Sequence, residues 1–71
     1  MGKLVCFMAT ICVYNVPSYA EQAEYIVATT NKNDGTIWFY GAYENVEDAF
    51  NAAEERGGFY FHNHNGELKN E

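Results

Sequence analysis

The chain has 71 residues, too few for more than one domain, and sets ten acidic residues against four basic ones for a formal charge of −6. That balance repels a polyanion and excludes direct nucleic-acid binding, which needs cations against phosphate. With 48% hydrophobic and 17% aromatic residues, disorder is excluded as well.

The first segment reads as a secretory leader. Lys3 supplies a positive start, and an apolar run from Leu4 to Val16 is interrupted only by Thr10 and Asn15. Pro17-Ser18-Tyr19-Ala20 then offers small side chains at the two positions a signal peptidase inspects. The run is shorter than the ~20 residues a helix needs to cross a bilayer, so no membrane span is expected. Cleavage is expected after Ala20, leaving residues 21–71 as the domain. Charge shifts sharply at this point, because Lys3 is the only charge before Glu21 and all ten acids lie at or beyond it. Both cysteines, Cys6 and Cys12, fall within the leader and neither has the setting of a lipoprotein anchor, so the mature chain would reach a periplasmic or extracellular compartment with no disulfide to form. The competing reading makes the same run a buried β-strand, whose composition it also fits.

Glu24 to Thr30, with Tyr25, Ile26, Val27 and Thr29, predicts a strand. Asn31-Lys32-Asn33-Asp34-Gly35 predicts a turn, and Thr36 to Tyr40 a second strand paired to the first as a hairpin. Asn45 is a helix N-cap, Asp48 suits the positive helix end, and Gly57 supplies the stop. Between them Val46, Ala49, Phe50 and Ala53 recur at helical spacing as an apolar stripe. Gly58 to Asn63 predicts a third strand, followed by a polar tail from Asn65-Gly66. The expected fold is α+β: a small ββαβ domain with a three-stranded, mainly antiparallel sheet and one helix packed on one face. A domain of this size stabilises itself poorly alone, so a protein partner or self-association is expected.

Strand alternation sorts the side chains into two sets. Ile26, Ala28, Ile37, Phe39, Phe59 and Phe61 are purely apolar and are assigned to the helix-covered face. Tyr25, Val27, Thr29, Trp38, Tyr40, Tyr60 and His62 fall on the other, which is aromatic with polar tips. Aromatic residues of that kind dominate binding hot spots, so Tyr25, Trp38, Tyr40, Tyr60 and His62 are the candidate binding residues, with Trp38 at the centre. The bland reading is that tyrosines simply suit a pleated surface.

Catalytic chemistry finds little support. Ser18 is the only serine, and it goes with both cysteines if the leader is removed. The carboxylates Glu44, Glu47, Asp48, Glu54 and Glu55 sit on or beside the helix, where a small layered domain has no room for a cleft that raises one pKa. His62-x-His64 has chelating spacing but needs a third ligand such as Glu24 or Glu67, so no metal and no cofactor is expected. The acidic helix face is a solvated surface or, in a rival reading, a mimic of nucleic-acid phosphates.

Gly35-Thr36-Ile37, the helix Val46 to Arg56, Gly57-Gly58 and the strand after it resemble the small exported stress proteins of enteric bacteria. That resemblance implies a short α+β unit behind a leader; this chain adds a strand before Gly35 and lacks the family's closing strand after Leu68. The ββαβ order is also similar to small phage-encoded inhibitors of host enzymes. The expected function is that of a small exported, non-enzymatic binding protein that presents its aromatic sheet face to a protein partner, to a second copy or to a saccharide. The alternative is an uncleaved cytoplasmic, phage-type acidic inhibitor of a host enzyme.

Overall fold

The structure, a computed structural model, describes residues 3–7 and 11–63. His64, Glu67 and the polar tail lie outside the described residues. Strands β1 (Lys3–Phe7) and β2 (Ile11–Val16) lead into a 3-10 helix (Ser18–Gln22), followed by β3 (Tyr25–Thr30), β4 (Ile37–Tyr43), α1 (Val46–Arg56) and β5 (Phe59–His62). The class is α+β, but the sheet has five strands in the order β1-β2-β4-β3-β5, where three in a ββαβ order were expected. It is also mixed, since β2 runs parallel to β4 while the other pairs are antiparallel.

The two additional strands come from the segment read as a leader. Its apolar run alternates: Val5, Phe7, Ile11 and Val13 pack into the core, whereas Cys6 and Cys12 face solvent, stand opposite each other in register and form a disulfide. Asn15 takes a left-handed φ of 64°, which asparagine tolerates better than most residues. The irregularity lets Val13 and Val16, three residues apart, both turn inward and become fully buried. Ala20 in the 3-10 helix is fully buried too, and Lys3 Nζ lies 3.2 Å from Glu21 Oε2, tying the hairpin to the chain beyond it. Asn63, just after β5, holds the end of the 3-10 helix by donating from Nδ2 to the carbonyls of Glu21 and Ala23, at 2.9 and 3.0 Å.

The β3–β4 hairpin forms at the predicted turn. Asn31 N–H donates to the Thr36 carbonyl and Gly35 N–H to the Asn31 carbonyl, with Gly35 at φ 77°. Asp34 Oδ1 accepts from both the backbone N–H and the hydroxyl of Thr36, and these bonds hold its carboxyl below the usual range. Helix α1 has its predicted ends. Asn45 Oδ1 accepts from Asp48 N–H at 2.9 Å, and Gly57 at φ 68° closes a Schellman pattern in which Gly57 and Gly58 N–H donate to the Glu54 and Ala53 carbonyls.

The two faces of the sheet hold as sets, but the helix covers the other one. Val27, Tyr25, Tyr43 and Tyr60 pack against Ala49, Ala52 and Ala53 of α1. Ile26, Ala28, Ile37, Phe39, Phe59 and Phe61 line the opposite side with Phe7, Val13, Val16 and Ala20. Volume explains the inversion. The buried stripe of α1 is made of alanines, while Val46 and Phe50 are 45% and 47% exposed, so large tyrosines must fill the space beneath the helix. The purely apolar face is closed by curling: β1 and β5 are the two edges of the sheet, yet the rings of Phe7 and Phe61 stand 5.3 Å apart. The hairpin therefore does for the inner face what a helix was expected to do.

Candidate functional site

All five predicted binding residues lie on the outer, helix-bearing face, and α1 divides them into two groups. On one side Tyr25 and Tyr60 are half-buried against the helix, edge to face at 6.4 Å. Tyr25 also stacks on the His62 ring at 4.9 Å, and His62 Nε2 lies 2.9 Å from Glu24 Oε2. Phe50 meets Tyr60 edge-on at 6.2 Å. Tyr25 and Tyr60 are thus engaged with the helix, and His62 with Tyr25 and Glu24.

On the other side Trp38 and Tyr40 remain 41% and 40% exposed. Arg56 lies over the Tyr40 ring at 5.1 Å from its centroid, a cation–π contact that marks the helix-side limit of the open area. Between Val27 and Ala28 the β3–β4 register shifts, so Tyr40 and Gly41 lie together on the β4 side opposite that step. The Tyr43 ring crosses Gly41 so closely that a Cβ there would meet its hydroxyl oxygen at 2.8 Å. Burial and the negative charge nearby, from Tyr40, Asp48 and Glu55, push the Tyr43 phenol up.

Tyr14 is the residue that sequence reasoning missed. It pairs with Trp38 across the parallel β2–β4 ladder, and the two rings stack at 5.2 Å with planes 27° apart. Assigning Tyr14 to a leader removed it from view, although Cys12 and Tyr14 already alternate with the inward Ile11 and Val13. Trp38 is held further by its own turn: Nε1–H donates to Thr36 Oγ1 at 2.7 Å, and that hydroxyl donates to Asp34 Oδ1 at 2.7 Å. The indole is thus fixed at its polar edge and by a ring partner, with part of its surface in water. Cys6, Cys12 and Leu4 continue this exposed face on the hairpin.

His62 is the only member of the His62-x-His64 pair among the described residues, and there no three His, Cys, Asp or Glu side chains are grouped to hold a metal ion. Nor is any described helix long and apolar enough to cross a membrane. No family model, curated protein or solved structure matches the chain.

Proposed function

We propose that this is a small, non-enzymatic interaction protein that buries the Tyr14–Trp38–Tyr40 strip against a protein partner or a second copy of itself. The stack of Tyr14 on Trp38 carries the reading: two adjacent, exposed aromatic rings are held in place before any partner arrives. Fixed aromatic residues lose little conformational freedom on binding, which is why they make effective contact centres. A saccharide is a variant occupant, because flat rings also stack on sugar faces.

Two observations bear on where the protein works. An exposed Cys6–Cys12 disulfide is a bond that an oxidising compartment maintains, which supports a periplasmic or secreted location for a chain that keeps residues 1–20, not for one cleaved after Ala20. Burial of Val13, Val16 and Ala20 supports a chain that works with residues 1–20 in place, the form required by the alternative of an acidic inhibitor in the cytoplasm. That alternative would use the exposed Glu47, Asp48, Glu54 and Glu55 of α1 in place of the aromatic strip.

Trp38→Ala tests the reading. The side chain is exposed, so the variant is expected to fold. Its association, read by sedimentation for self-assembly and by side-by-side capture for a partner, is expected to weaken roughly 30-fold, as for the loss of a hot-spot aromatic. A folded Trp38→Ala protein that associates like the parent contradicts it.

A further inference from the structure

We propose a second binding site, for an arginine side chain of a partner protein, in the groove where the 3-10 helix meets the start of β3 and the end of β4. It has a volume of about 460 Å³, and its lining includes Tyr19, Ala23, Glu24, Ala42, Tyr43 and Glu44. It is a half-open surface groove whose lining residues are all exposed or half-buried, wide enough to admit one long side chain. Trp38 and Tyr43 are at opposite ends of β4, roughly 17 Å apart at strand rise, so the groove is separate from the aromatic strip.

Its chemistry suits a planar cation on an apolar stem. Ala23 and Ala42 offer small apolar surface for methylenes. Tyr19, 74% exposed, offers a ring for a guanidinium to stack on. Glu24 and Glu44 supply two carboxylates, one of them oriented by the 2.9 Å contact between Glu24 and His62.

Among the described residues, no lysine or arginine lines the groove. Lys3 is paired with Glu21, and Arg56 lies over Tyr40. A negative field from outside the groove reaches it as well, since Asp48 and Glu55 on α1 help to raise the Tyr43 phenol. Arginine is favoured over lysine because its fork can meet a carboxylate in two bonds while its plane lies on a tyrosine.

The probe is Nα-acetyl-arginine methylamide, titrated into the intact chain at low ionic strength and followed by amide chemical shifts. Its neutral isostere, Nα-acetyl-citrulline methylamide, is the control. The expected result is saturable shifts confined to Ala23, Glu24, Ala42, Tyr43 and Glu44, with citrulline weaker by roughly tenfold. Glu44→Gln and Tyr19→Ala, both at exposed positions, are each expected to weaken arginine binding about threefold or more while leaving remote resonances in place. Trp38→Ala is expected to leave arginine binding unchanged, so this site and the aromatic strip succeed or fail separately. Equal shifts from citrulline, or shifts centred on Glu47 and Glu54 of the helix, would overturn the proposal.

Discussion

A chain that begins at Glu21 is expected to lose the packed fold, giving a weak near-UV circular dichroism signal and concentration-dependent aggregation. Removing β1, β2 and the first half of the 3-10 helix takes Phe7, Val13, Val16 and Ala20 out of the inner core. Burying each of the three larger side chains contributes about 1.5–3 kcal/mol, or roughly 5–9 kcal/mol in all, an upper estimate because unfolded chains already bury some surface. The whole stability of a chain of this length is on the order of 4–10 kcal/mol. The loss is therefore comparable to the total, and it also exposes Ile26 and Ala28, which are fully buried in the intact chain. A cooperative, monomeric fold in the shortened protein would show that β3, β4, α1 and β5 close a core by themselves. The same geometry orders events in time. Ala20 is fully buried, and a peptidase acts on an opened segment, so cleavage after Ala20 requires that this segment be unfolded or opened first.

Gly58→Ala is expected to destabilise the protein by about 3 kcal/mol, near the upper end of the cost of forcing extra atoms into a packed site. A Cβ at Gly58 would run into the carbonyl oxygen of Ala28 and stand 2.9 Å from Thr29 Cγ2. The first obstacle is backbone in an interior strand, flanked by β4 and β5, so it cannot swing aside. Relief requires β5 to move off β3, which breaks the pairing of Ala28 with Phe59 and loosens Phe61 from Phe7. Denaturant unfolding reads the effect as a lower midpoint at nearly unchanged slope. A midpoint equal to the parent's would mean that Gly58 does not approach β3 as closely as the structure shows.

The parts of this fold legible in the sequence are those set by local chemistry. Asn45, Asp48 and Gly57 mark the ends of α1, and Asn31 to Gly35 mark the β3–β4 turn, because caps and turns are satisfied by residues a few positions away. The segment from Leu4 to Val16 was ambiguous for a physical reason: an export leader and a half-buried hairpin need the same apolar content. The pairing of Cys6 with Cys12 and the stacking of Tyr14 on Trp38 are contacts between strands, which no local sequence signal encodes.

The inverted faces have a different cause. Hydrophobicity assigned the phenylalanines to the helix, whereas side-chain volume put tyrosines beneath a stripe of alanines. Of the candidate residues, the exposure of Trp38 and Tyr40 was legible in strand alternation, whereas the packing of Tyr25 and Tyr60 on α1, the stacking of His62 on Tyr25 and the stacking of Tyr14 on Trp38 are contacts between elements.

Both the inner core and the Tyr14–Trp38 surface depend on β2 being an interior strand of the sheet. Native-state hydrogen exchange on the intact chain tests this most directly, because β2 is flanked by β1 on one side and β4 on the other. Amides of β2 that bond to β1 or β4 are expected to open with free energies within about 1 kcal/mol of those in Ile26 to Ala28, as members of one cooperative unit. Exchange throughout β2 at the rate of an unstructured peptide, with β3 still protected, would contradict the account.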